Sequence, residues 1–130
     1  MRDIGLFTRT AVPRDFFESL LLRNGGRLPE ANAPDVALQQ VPLHLGNNTL
    51  YVNFDTRPEM QAYFNDEERV ELEAELGFPP ASYVAVHFTW GRSAFESAMK
   101  FLETIRAVCG GVINFEGAGG GIGKSPSFDT

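Results

Sequence analysis

Residues 83–117 read YVAVHFTW, GRSAFESAMKFLETIRAVC, GGVINFEG, and this stretch decides the fold. Its opening run is β-branched and aromatic, the composition of a strand. At period two, Tyr83, Ala85, His87 and Thr89 face one way, and Val84, Val86, Phe88 and Trp90 the other. The period then changes. Phe95, Ala98, Met99, Leu102, Ile105 and Ala107 or Val108 recur at helical spacing and predict an amphipathic helix. Ser93 is the expected N-cap, with Glu96 three residues on, the spacing of a capping box. Gly110-Gly111 stops the helix, and Val112–Phe115 makes a closing strand. Such a strand–helix–strand unit predicts two parallel strands joined by a right-handed crossover.

Upstream, Asn65 or Asp66 caps a second helix, with Glu67 and Glu68 in its first turn, where acidic groups meet the positive helix end. Val70, Leu72, Ala74 and Leu76 are its apolar members; Gly77 ends it, and Phe78-Pro79-Pro80 is a stiff connector. Before it, Leu50, Val52 and Phe54 alternate with Tyr51, Asn53 and Asp55, the pattern of a half-buried strand. Val36–Leu45 alternates less regularly, and Gly46-Asn47-Asn48 is turn chemistry, so the two runs predict a hairpin. Pro42 has no N–H to donate, which points to an edge strand or a bulge. At the N-terminus, Ile4–Thr10 reads as a short strand. Pro13 opens a helix bearing Phe16, Phe17, Leu20, Leu21 and Leu22, and Asn24-Gly25-Gly26 closes it. Residues 27–34 read as loop.

The order is β-α-β-β-α-β-α-β. It predicts a single α+β domain over residues 1–117, a mainly antiparallel sheet of about five strands with three helices on one face. Residues 118–130 read as a mobile, glycine-rich tail.

The composition narrows the function. With 43% hydrophobic and 22% charged residues, the chain is an ordinary globular domain. The lone Cys109 cannot form an internal disulfide. Two histidines and no CxxC argue against a Cys/His zinc site. No apolar run reaches the ~20 residues that span a bilayer, and the N-terminus lacks a signal-peptide core. A cytoplasmic protein with no cofactor, no metal and no membrane partner is expected. The net charge of −6 disfavours nucleic acid, whose binding rests on Lys and Arg neutralising phosphates, and suits a basic protein partner.

Few motifs carry chemistry. Residues 118–125, AGGGIGKS, fit a relaxed phosphate-binding loop. Pro126 follows, and the chain ends too soon for the helix whose amides would hold a phosphate. His87 lies in a strand and His44 in the hairpin, neither with a catalytic partner evident from spacing. Cys109 sits at a helix C-terminus, where the partial negative charge disfavours a thiolate. Asp66, Glu67, Glu68, Glu71, Glu73 and Glu75 form an acidic run, and Glu68, Glu71 and Glu75 share one helix face. That face is either simply solvated or a docking surface for a basic partner. It suits a hard cation less, since such sites gather ligands from loops or several elements. Trp90, beside Gly91-Arg92 at a strand end, is the best candidate for an exposed aromatic anchor.

One resemblance adds to this. Residues 73–80 (EAELGFPP), the strand YVAVHF from Tyr83, the helix FESAMKFL from Phe95 and the closing GVINFEG from Gly111 resemble the immunity proteins of bacterial swarming-inhibition toxins, a polymorphic toxin system. The likeness covers about residues 66–117 and lies in core and turn positions. Gly110-Gly111 stands where those proteins carry an acidic residue before the last strand. The resemblance implies a cytoplasmic, non-enzymatic antidote that binds a cognate toxin and covers its active site. On this chain the expected partner-binding residues are Glu68, Glu71, Glu75, Trp90 and Arg92. The alternative is a small ligand-binding or enzymatic domain with a cleft around His87, Tyr83 and Glu116. A homo-oligomer joined at the edge strand near Pro42 or through exposed aromatics is a third reading.

Overall fold

The computed structural model describes residues 2–26, 41–45, 47–55 and 65–126. Five strands form one sheet: β1 (Arg2–Thr8), β2 (Val41–Leu45), β3 (Asn48–Asp55), β4 (Ser82–Phe88) and β5 (Gly111–Asn114). Three helices accompany it: α1 (Arg14–Arg23), α2 (Asp66–Leu76) and α3 (Arg92–Cys109). The strand order is β2-β3-β4-β1-β5, with every neighbouring pair antiparallel. The chain is thus an α+β domain, as its periodicities predict. Because β4 and β5 both pair antiparallel with β1, they run parallel to each other, with β1 inserted between them.

The period-two reading of β4 holds. Val84, Val86 and Phe88 join the main core with Ile4 and Leu6 of β1, Leu50 and Val52 of β3 and Ile113 of β5. Onto that face pack Phe17, Leu20 and Leu21 of α1 and Phe95, Ala98, Phe101, Leu102 and Ile105 of α3. Leu102 and Ile105 are wholly buried, each contributing about 1.5–3 kcal/mol by burial.

The three helices are not on one face. Leu72 and Leu76 of α2 pack with Phe7, Tyr83 and Ala85, side chains on the opposite side of the sheet. The helix is fixed at both ends by its own residues. Asn65 accepts from the Glu68 N–H at 2.8 Å and Glu68 accepts from the Asn65 N–H at 3.3 Å, a complete capping box. Gly77 closes it with φ of 81°. Helix α1 starts one residue after Pro13, whose carbonyl accepts from the Phe17 N–H at 3.0 Å.

Helix α3 departs from expectation at its start. It begins at Arg92, with Gly91 at the N-cap and no side-chain cap. The Ser93 hydroxyl instead accepts from Asn48 Nδ2 at 2.9 Å. A contact to the β2–β3 hairpin has displaced the local cap. Strand β1 is also shifted to Arg2–Thr8, because Arg2 and Asp3 pair with Phe88 and His87. Strand β2 covers only Val41–Leu45 of the predicted run; residues 36–40 and the loop at 27–34 lie outside the described residues.

Both sheet edges are engaged. The His44 N–H on the outer edge of β2 donates to the Asn24 carbonyl at 3.0 Å. Pro42, on the same edge by alternation, has no N–H to leave unpaired, which is why a proline is tolerated there. Outside β5, the segment read as a tail takes a definite path. A single 3-10 turn at Glu116–Ala118 leads into a reversal in which Gly123 N–H donates to the Ile113 carbonyl (2.7 Å) and Phe115 N–H to the Gly121 carbonyl (3.0 Å). Ala118 is buried, and Ile122 packs on the α2-side cluster. The phosphate-loop-like run therefore forms a tight turn bridged between Gly121 and Lys124. Residues 127–130 lie outside the described residues.

Candidate functional site

Three surfaces hold the residues singled out from sequence. The first is the outer face of α2. Its six acidic residues, Asp66, Glu67, Glu68, Glu71, Glu73 and Glu75, are all exposed. Among them in sequence sits Val70, 70% exposed, with Asp66, Glu67 and Glu73 one helical turn away. Glu68 also has a structural role, since its carboxylate completes the capping box.

The second surface surrounds Trp90. Its indole stacks on Phe88 (centroids 6.1 Å apart) and meets Phe95 edge-on at 6.2 Å, so it extends the main core at the end of β4. The Arg2 guanidinium lies 4.6 Å from the Trp90 ring, a cation–π contact. Trp90 is 37% exposed. Trp90 and Arg92 both line a groove of about 490 Å³, with Tyr51 and Thr49 of β3 across from them. The five expected partner-binding residues thus divide into two groups. Glu68, Glu71 and Glu75 lie on the helix that covers one sheet face, while the Trp90 ring belongs to the other.

The third surface is the sheet face beneath α2. Tyr51, His87 and Asp3 stand opposite one another across β3, β4 and β1. Asn53 Nδ2 lies 3.4 Å from His87 Nε2, and Asn53 Oδ1 is buried without a hydrogen-bond partner. Tyr83 stacks on Phe7 with centroids 4.5 Å apart. Asn114 Nδ2 reaches its phenol oxygen at 3.4 Å. His87 and Tyr83 therefore share a face, as their spacing predicts. Glu116 is exposed on the turn after β5, and its backbone N–H donates to Asn114 Oδ1 at 3.0 Å. It is Asn114, not Glu116, that meets Tyr83. Asp3, Asn53 and Asn114 have no signal in the sequence, because only strand pairing brings them beside His87 and Tyr83. Among the described residues no three His, Cys, Asp or Glu side chains converge as metal ligands, and no helix is long and apolar enough to cross a membrane.

Cys109 is buried at the end of α3. Burial raises the pKa of its thiol, with the Thr10 side chain working in the lowering direction. The folded state thus favours the protonated thiol. Its contribution to stability is complete below the ordinary thiol pKa and is lost as pH rises through the raised value. At neutral pH the native protein is expected to react with a disulfide reagent far more slowly than the protein in denaturant. Equal rates would place the thiol at the surface.

Comparison of the chain with protein-family models, with curated proteins and with solved structures gives no match.

Proposed function

We propose that the chain is a non-enzymatic immunity protein, a cytoplasmic antidote that binds a cognate bacterial toxin and covers its active site. The observation that carries this reading is the outer face of α2, where the exposed Val70 has exposed Asp66, Glu67 and Glu73 one helical turn away. An apolar centre excludes water from a contact, and charge around it steers and orients the partner. The matching partner surface is basic. Toxin sites that hold phosphate chains are of that kind, and an acidic helix can occupy them. The resemblance over residues 66–117 supports the same conclusion, for that stretch includes α2.

The test has two stages. The tagged full chain is recovered from its own cells, and the co-purifying partner is identified by mass spectrometry. A partner whose toxicity in a second bacterial host is suppressed by the chain supports the proposal; a partner that remains toxic at saturating chain overturns it. The surface is then tested with Glu71→Lys and Glu75→Lys together, leaving Glu68 to its capping role. The complex is expected to weaken by at least about tenfold at low salt, with an unchanged circular dichroism spectrum. Unchanged affinity removes α2 from the interface.

A second reading rests on Asn53 Oδ1, buried and unpartnered beside His87. A small polar ligand seated there would satisfy it. Movement of the His87 ring resonances on titration with polar fragments supports that reading, and static resonances oppose it.

A further inference from the structure

We infer that Asn24 is a site of spontaneous covalent modification, a deamidation that uncaps α1 and opens the outer edge of β2. An asparagine reacts with its own chain when the next backbone nitrogen reaches its side chain, and a following glycine leaves that approach unobstructed. Of the asparagines in the chain, Asn24 alone is followed by glycine. The Gly25 nitrogen attacks Asn24 Cγ, the Cγ–Nδ2 bond breaks, and Nδ2 leaves as ammonia with the proton from Gly25. Water then opens the succinimide at either carbonyl, giving aspartate or isoaspartate. Gly25 is exposed, so water reaches the ring.

In the native structure the cap engages both reacting groups. Asn24 Nδ2 donates to the Leu20 carbonyl at 2.7 Å. The Gly25 and Gly26 N–H groups donate to the Leu22 and Leu21 carbonyls at 3.3 and 2.8 Å. Gly25 takes φ of 75°, the left-handed conformation of a helix stop. Helix ends open locally far more often than whole domains unfold. Each opening frees the Asn24 side chain and the Gly25 nitrogen together, so fraying of this cap is the trigger.

The product cannot cap the helix again. A carboxylate oxygen in place of Nδ2 faces the Leu20 carbonyl oxygen, at the helix end that already carries partial negative charge. Isoaspartate also adds a methylene to the backbone, which puts Gly25 and Gly26 out of register with Leu22 and Leu21. The same segment covers β2, the strand at one edge of the sheet. The Asn24 carbonyl accepts from the His44 N–H at 3.0 Å. A Cβ on Gly25 would stand 3.5 Å from the His44 carbonyl oxygen, and one on Gly26 3.2 Å from that of Pro42. Residues 24–26 thus run along the outer edge of β2. Their displacement leaves the His44 N–H without its acceptor on a sheet edge, where strands pair with other chains. No residue of α2 takes part, so the inference stands independently of the proposed function.

The experiment holds the full chain at mildly alkaline pH and follows it by peptide mapping, with isoaspartate counted by enzymatic methylation. Conversion at Asn24 should exceed that at every other asparagine by at least about tenfold. It should run faster in guanidinium, where the cap is absent. Hydrogen exchange at the His44 amide reads the consequence. In the converted chain, and in Asn24→Asp made directly, it should quicken by at least about tenfold, and the melting temperature should fall by roughly 4 °C. Asn24→Gln closes the corresponding ring far more slowly, so after the same incubation it should exchange as it does when fresh. Conversion spread evenly over the asparagines overturns the inference, as does an equal rate in guanidinium. Unchanged His44 exchange in the converted chain, or exchange that quickens equally in incubated Asn24→Gln, likewise overturns it.

Discussion

Gly111→Ala is expected to cost about 3 kcal/mol or more of folding stability, from two independent penalties. Gly111 begins β5 with φ of 128°, outside the range that side-chain-bearing residues adopt readily. It also pairs with Thr8, and a Cβ built on it would fall onto the Phe7 carbonyl oxygen, well inside contact distance. That obstacle is the backbone of β1, a strand held on its other side by β4. Neither strand can move without disturbing Leu6 and Ile113, which are buried together in the main core. Gly77→Ala separates the two penalties. Gly77 has φ of 81° and nothing within 4 Å of the place a Cβ would take, so it carries the backbone cost alone, about 1 kcal/mol. Urea unfolding should rank the variants as Gly111→Ala far below Gly77→Ala, and the melting temperature of the former should fall by roughly 10 °C. A Gly111→Ala variant as stable as Gly77→Ala would mean that β5 does not meet β1 in this register.

What the sequence could and could not convey follows one division. Strand β4 and helix α3 are legible because each obeys one period and ends at its own glycines. The α2 cap is legible because Asn65 and Glu68 satisfy each other within one turn. Ser93 has the same local credentials and is no cap, since its hydroxyl serves Asn48, 45 residues away. The side of the sheet chosen by α2 is hidden likewise. Leu72 and Leu76 declare an apolar stripe but not which sheet face receives it. Residues 118–126 read as a tail because glycine signals freedom locally; the hydrogen bonds that tie Gly121 and Gly123 back to Phe115 and Ile113 carry no local signature.

The candidate surfaces divide in the same way. The acidic run on α2 is a property of one helix and can be read directly. The sharing of a face by His87 and Tyr83 follows from strand parity. The groove beside Trp90 cannot be read, because Thr49 and Tyr51 lie on β3 while Arg92 lies at the start of α3. Trp90 and Arg92 are near neighbours in sequence. The fold makes them neighbours of Tyr51 as well.

Gly5→Ala is the second large effect, and its origin is a side chain rather than the backbone. Gly5 sits in the middle of β1, opposite Ala85 and Asn114. A glycine inside a strand signals that something approaches closely; here it is the ring of Tyr83, whose phenol occupies the space a Cβ would need. The same ring stacks on Phe7 and lies within reach of Asn114. A methyl group at position 5 would drive the phenol from this seat, giving up both contacts in a buried cluster. The expected cost is about 3 kcal/mol. The ring can be removed, which the backbone beneath Gly111 cannot. Tyr83→Ala alone leaves a cavity and should cost about 3–5 kcal/mol, the range for aromatic truncation. In that background the added methyl meets no ring and fills part of the void, so Gly5→Ala should then cost under about 1 kcal/mol. The coupling between the two sites, read from the four urea unfolding curves of a double-mutant cycle, is expected to exceed about 2 kcal/mol. Additive costs would show that the Tyr83 ring does not lie over Gly5. The polar face built around that ring, with His87, Asn53 and Asn114, would then have to be redrawn.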